Sequence, residues 1–240
     1  MGLDKDYNIR RLERYMYMVM ASHAKPVVIL NKADLPDIDL KAKVAEVKAA
    51  IQDAPVHAIS ARDRAGLDSI KQYLGCGTTI SVVGSSGVGK STLINALLGE
   101  ERQVTKEVRK GDSKGRHATA SRQLFMIPQG GVMIDNPGIR EIQLWGDVDS
   151  LSQVFTDIDE LAMGCKFKDC IHLSEPKCAV KQAVLEGSLS KKRYENYLKM
   201  RKELKFLKQK ADLGSEKAER ARWKGILKDA KKYRKYKKGG

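Results

Sequence analysis

Eight residues, GSSGVGKS at Gly84 to Ser91, limit what this chain can fold into. They follow the apolar run TISVV and precede STLINALL, whose apolar spacing is helical. A strand, a glycine turn and a helix in that order make a phosphate-binding loop. Gly84 and Gly89 let the backbone wrap closely, and the N–H groups of Ser85, Ser86, Gly87 and Val88 point at phosphate beside a helix N-terminus. Lys90 is expected to reach the β and γ phosphates. Ser91 is the expected Mg²⁺ ligand, with Thr92 next to it.

Two further motifs precede this loop. PVVIL runs into Asn31-Lys32-Ala33-Asp34, and VHAI runs into Ser60-Ala61. Asn-Lys-x-Asp is the guanine-reading pattern of GTPases. A carboxylate at Asp34 accepts from guanine N1–H and the exocyclic amine, whereas adenine presents an acceptor there and leaves the carboxylate unpaired. The Ser60-Ala61 loop fits the backbone N–H that meets guanine O6. After the phosphate loop, GGVMI runs into Asp135-Asn136-Pro137-Gly138. There Asp135 is expected to hold Mg²⁺ through water and the Gly138 N–H to sense the γ-phosphate. The polar segment GDSKGRHATASRQL lies between. Thr119 is its first choice of Mg²⁺ ligand, with Ser113 and Ser121 as rivals.

In an ordinary GTPase the phosphate loop comes first; here it comes third. Joining the neighbouring termini of a Ras-like domain and cutting elsewhere gives this order, so the expected fold is α/β, a circularly permuted P-loop GTPase domain over 1–147. Its switch segments then adjoin whatever follows Trp145. Tyr7 to Met20 reads as a helix carrying Ile9, Leu12, Met16 and Val19 on one face, with Asp6 as its N-cap.

The second domain, 148–240, has a different character. Cys165-x4-Cys170-x-His172-x5-Cys178 supplies three thiolates and an imidazole within 14 residues, which fits one closed, structural Zn²⁺ site. Cys76 reads as an ordinary thiol. Residues 1–180 hold 24 Lys/Arg against 23 Asp/Glu, and residues 181–240 hold 21 against 7. The chain's +15 charge therefore sits almost wholly in its last quarter, with Tyr194, Tyr197, Trp223, Tyr233 and Tyr236 interleaved. That is an arm for a polyanion, and its binding should weaken steeply with salt. Tyr197, Leu198 and Leu204 form a stripe suited to docking on the metal domain. No apolar run reaches membrane-spanning length and no secretory signal opens the chain, so a cytoplasmic protein is expected.

Together DYNIRRLERYM, PVVILNKADL, ISA, GSSGVGKSTLINALLG, GRHATA, DNPGIRE and the cysteine cluster resemble the RsgA (YjeQ) family of circularly permuted ribosome-biogenesis GTPases. The resemblance spans about Asp6 to Leu198. It implies GTP/GDP with Mg²⁺, a C-terminal zinc domain, and the small ribosomal subunit and its rRNA as partners; a monomer is expected. It also implies a catalytic role for His117, since Ile139 stands where Ras-like enzymes carry the water-positioning glutamine. The family's threonine run after that histidine is Ala118-Thr119-Ala120 here. The family's N-terminal OB-fold is not expected in this sequence. Nor is the family's strand before the first helix, a place Met1-Gly2-Leu3 is too short to fill, so a sheet missing an interior strand, or filled there by something else, is expected, with a loss of stability. Three functions follow: a GTPase acting on the small subunit, a guanine-nucleotide-responsive RNA-binding module with little turnover, or, against the evidence of Asn31 to Asp34, an ATPase.

Overall fold

The computed structural model describes residues 1–52, 54–100, 122–136 and 144–237, with side chains on the last helix described to 214 and at 216, 217 and 223. The chain divides into two compact units, Met1–Gln143 and Leu144–Gly240. Among the described residues no helix is long and apolar enough to cross a membrane.

The first unit alternates helices and strands: α1 (Ile9–Ala21), β1 (Val28–Asn31), α2 (Leu40–Ala50), β2 (Val56–Ile59), α3 (Asp68–Lys71), β3 (Thr79–Val82), α4 (Lys90–Leu98), β4 (Gln123–Met126) and β5 (Val132–Asp135). β1 and β2 pair in parallel, β3 and β5 pair in parallel, and β4 joins the far side of β5 antiparallel. Ile59, Leu67 and Ile70 from the β2 side share one core with Ile94, Leu97, Phe125 and Met133 from the β3–β5 side. Burying each such side chain contributes about 1.5–3 kcal/mol, which holds the two halves together although no strand hydrogen-bonds across them among the described residues.

Two expectations need correction. Met1 to Leu3 does line the edge of β1: Gly2 forms a parallel bridge with Asn31, Asn31 N–H donates to Met1 O at 2.9 Å, and Leu3 N–H donates to Asn31 O at 2.9 Å. Even a short extended segment can satisfy part of an otherwise bare edge. The N-cap of α1 is Asn8, whose side chain accepts from Arg11 N–H at 3.0 Å. Asp6 is engaged elsewhere, by the Arg11 guanidinium and by Gly2 N–H. α1 buries Ile9, Leu12, Met16 and Tyr17, and also Glu13, which is paired with Arg10.

The second unit has a 3-10 turn (Asp149–Leu151), α5 (Thr156–Ala162), α6 (Ala179–Glu186) and the 47-residue α7 (Lys191–Lys237). Phe155, Ile158, Val180, Met200 and Leu204 form its core. The stripe on α7 runs through Arg193, Tyr197, Met200 and Leu204, at helical spacing. Tyr197 packs edge-on against Phe155, with ring centroids 5.4 Å apart. Buried Arg193 donates to both carboxylate oxygens of Asp157, at 2.7 and 2.8 Å, and so enters the core with its charge paired.

Candidate functional site

Every sequence motif whose residues are described in the first unit leaves the C-terminal end of a parallel strand. Asn31 lies beside Ile59 in the β1–β2 register, so the Asn31–Asp34 loop and the Ser60-Ala61 loop are neighbours. Val82 lies beside Asp135 in the β3–β5 register, so the phosphate loop and Asp135 are neighbours. Ligands of open α/β sheets bind at this edge.

Asn31 joins the two pairs. It is 6% exposed; its Nδ2 donates to Val88 O at 2.9 Å and its Oδ1 accepts from Ala61 N–H at 2.9 Å. One amide thus ties three loops that lie far apart along the chain. The Ala61 N–H is used in this tie, so Ala61 acts first on Asn31. Lys32 adds a second link, donating from Nζ to Gly87 O at 2.7 Å. Lys90 curls inside the phosphate loop, where Nζ donates to Gly84 O at 3.0 Å and to Ser85 O at 2.8 Å. Burial holds its ammonium below the usual lysine range, and the charges of Asp135 and Asp6 oppose that shift.

Asp34 is poised as a carboxylate. Its side chain is 12% exposed and lies 2.9 Å from the Arg62 guanidinium. The Ser60 hydroxyl holds it below the usual carboxylate range; burial works against this, and its own backbone N–H and Arg62 add to the lowering. Arg62 follows Ser60-Ala61 directly, and only its charge beside an acidic loop could have marked it in the sequence. Asp135, 1% exposed at the end of β5, and Ser91, in the first turn of α4, offer hard oxygen donors of the kind Mg²⁺ takes. His117, Thr119 and Gly138 lie outside the described residues.

Glycine at 89 is required on two counts. Its φ is +95°, and a Cβ there would sit 2.2 Å from Asn31 Nδ2. Gly89→Ala is therefore expected to weaken nucleotide binding by about a hundredfold or more, combining a left-handed backbone penalty with displacement of Asn31. Titration calorimetry checks this; affinity within threefold of the parent would show that the loop tolerates a moved Asn31.

The second unit gathers Cys165, Cys170, His172 and Cys178, with all four ligand atoms within 4.8 Å of one another. Cys165 Sγ lies 3.8 Å from Cys178 Sγ and 3.7 Å from His172 Nδ1, which is 3.4 Å from Cys178 Sγ. A tetrahedron with metal–sulfur bonds of about 2.3 Å has edges of about 3.5–3.8 Å. Burial, and after it the neighbouring Cys178 and Cys165 sulfurs, push the Cys170 thiol up to about 11. Three thiolates this close need a cation among them, so the donor set fits a metal ion. α7 braces the loop: the Tyr194 hydroxyl donates to His172 O, and Arg201 Nη1 donates to Ile171 O at 3.0 Å. Tyr194 was legible in the sequence only as one aromatic of a basic arm.

This geometry has known relatives. A family model described as RsgA GTPase matches residues 1–145. The small ribosomal subunit biogenesis GTPase RsgA of Methanosarcina acetivorans is 49% identical over 235 residues, covering 98% of this chain and 63% of its own length. Its namesake from Leptospira interrogans is 47% identical over 206 residues, covering 85% of this chain and 57% of its own. The chain thus spans less than two thirds of these relatives. The crystal structure of YjeQ from Thermotoga maritima superposes with a TM-score of 0.63 at 30% identity, over 85% of this chain and 69% of that one. YloQ, described as a circularly permuted GTPase, gives 0.58 at 26% identity, over 85% and 66%. The inverted loop order, the fold and these matches agree: the chain is a circularly permuted P-loop protein that belongs to the RsgA GTPase family.

Proposed function

We propose that the chain binds and hydrolyses GTP in the cytoplasm as a factor in late maturation of the small ribosomal subunit. The observation that carries this reading is Asn31, whose two hydrogen bonds fasten the guanine-side loops to the phosphate loop. Asp34 reads the guanine edge, and Asn31 and Lys32 hold that reader against the loop that carries the phosphates. Backbone N–H groups from Ser85 to Gly89 cradle the phosphates, and Lys90 leaves its carbonyl partners to neutralise them. Ser91 and Thr119, with Asp135 through water, would hold Mg²⁺, which would supply positive charge to neutralise the phosphates. Gly138 senses the γ-phosphate, and His117 orients or deprotonates the attacking water. With Ile139 in the glutamine position, turnover is slow until the ribosomal subunit completes the site. Zn²⁺ at the Cys/His cluster keeps the second unit folded, and the basic arm meets rRNA phosphate.

Multiple-turnover phosphate release with GTP and with ATP, each with and without small subunits, tests the proposal. GTP-selective release that rises with subunits and falls at least tenfold in His117→Ala is the expected result. Release that stays near background with and without subunits would leave the second reading, a nucleotide-responsive RNA-binding module with little turnover, which Ile139 favours. Release that ignores subunits and survives the substitution would overturn the roles given to the subunit and to His117.

A further inference from the structure

We infer that Asp4 is a positioning residue for the guanine-side loop: its carboxylate holds Lys32 in place as that side chain reaches across to the phosphate loop. Lys32 Nζ donates to Asp4 Oδ2 at 2.6 Å and to Gly87 O at 2.7 Å. The other carboxylate oxygen, Asp4 Oδ1, accepts from Asp6 N–H at 3.0 Å, which fixes the orientation of the group. A Cβ at Gly2 would lie 2.6 Å from Asp4 Oδ1, so a bare glycine is what lets the carboxylate tuck against the chain.

Lys32 needs such a holder. Its backbone is left-handed at φ +69°, a conformation that is costly for a residue with a side chain. Its long stem also has much rotamer freedom to lose. Gly87 O alone offers one neutral acceptor, whereas a charge-assisted bond is roughly twice as strong. Burial raises the Asp4 carboxyl, but the hydrogen bonds from Lys32 and from Asp6 N–H outweigh it and keep the group ionised near neutrality. The pair is only partly covered, at 24% and 33% side-chain exposure, so its effect is on placement more than on fold stability. No sequence motif includes Asp4. The inference rests on the guanine reading of Asn31–Asp34 and adds to it a residue from another segment.

The test is calorimetry with GDP and with ADP on the parent chain, Asp4→Ala, Asp4→Asn, Asp4→Glu, Lys32→Ala and the Asp4→Ala/Lys32→Ala double variant. Asp4→Ala should weaken GDP by about tenfold, Asp4→Glu should recover part of that, and Asp4→Ala should cost less than about twofold once Lys32 is gone. Parent-like affinity in Asp4→Ala, or the full loss persisting without Lys32, overturns the inference. The parent's preference for GDP over ADP reads the guanine loop separately. Even with no preference, the variant-to-parent ratio still decides Asp4, because Lys32 also holds Gly87. Amide exchange without nucleotide gives a second reading: Ala33 and Leu35, whose N–H groups donate to Ile59 O and Lys32 O, should exchange faster in Asp4→Ala. Unchanged exchange at both counts against Asp4. If Asp4→Ala does not fold, the isosteric Asp4→Asn carries the same comparisons.

Discussion

Asp34→Asn is expected to lower GTP affinity by about a hundred- to a thousandfold and to make xanthosine triphosphate the better ligand. The carboxylate offers two acceptors to the two guanine donors. Asn keeps one acceptor and presents an NH₂ where guanine also presents one, so a buried donor faces a donor. Xanthine carries an oxygen at that position and satisfies the new amide. The Ser60 hydroxyl and Arg62 keep Asp34 ionised and mostly covered, so little water is available to mask the mismatch. Competition of GTP, XTP and ATP for one fluorescent nucleotide measures the effect. A variant that still ranks GTP above XTP would remove Asp34 from base recognition.

The second large effect is on the Leu144–Gly240 unit. Chelation of a metal held by the Cys165, Cys170, His172 and Cys178 cluster, or Cys178→Ser, is expected to abolish the unit's cooperative unfolding transition and open residues 165–178 to protease. Structural zinc sites in small domains contribute about 10 kcal/mol or more, comparable with the whole stability of an ordinary domain. His172 at φ +63° and Lys177 at φ +56° keep left-handed backbones within that loop. The docking of Tyr194 on His172 O depends on the same loop, so loss of the metal should also loosen the start of α7. Elemental analysis should find one zinc per chain. An unchanged melting profile after complete metal removal would show that the cluster folds without an ion.

The strand-end motifs were legible because each combines special backbone geometry with special chemistry. The helix of the phosphate loop, Lys90–Leu98, falls where its apolar spacing puts it. The metal donors were legible by number and type, and the structure brings all four together. What escaped was contact between segments. Asp6 and Asn8 are both good caps, and only the engagement of Asp6 by Arg11 and Gly2 leaves the role to Asn8. Asp4 stands 28 residues from Lys32, and a lone acidic residue carries no periodic signal of its partner. The pairing of Met1 to Leu3 with β1 was hidden because a three-residue segment is too short for strand periodicity to register. The separation of β1–β2 from β3–β5–β4, by contrast, falls where the family resemblance places a missing interior strand; alternation of apolar residues alone does not encode it.

The central claim is that loops written in permuted order assemble one guanine-nucleotide pocket. Calorimetry of the parent chain with GDP and with ADP, each in Mg²⁺, tests it most directly. The proposed function predicts one GDP site per chain and at least a hundredfold weaker ADP. Equal affinity for the two nucleotides, or tighter binding of ADP, would contradict it.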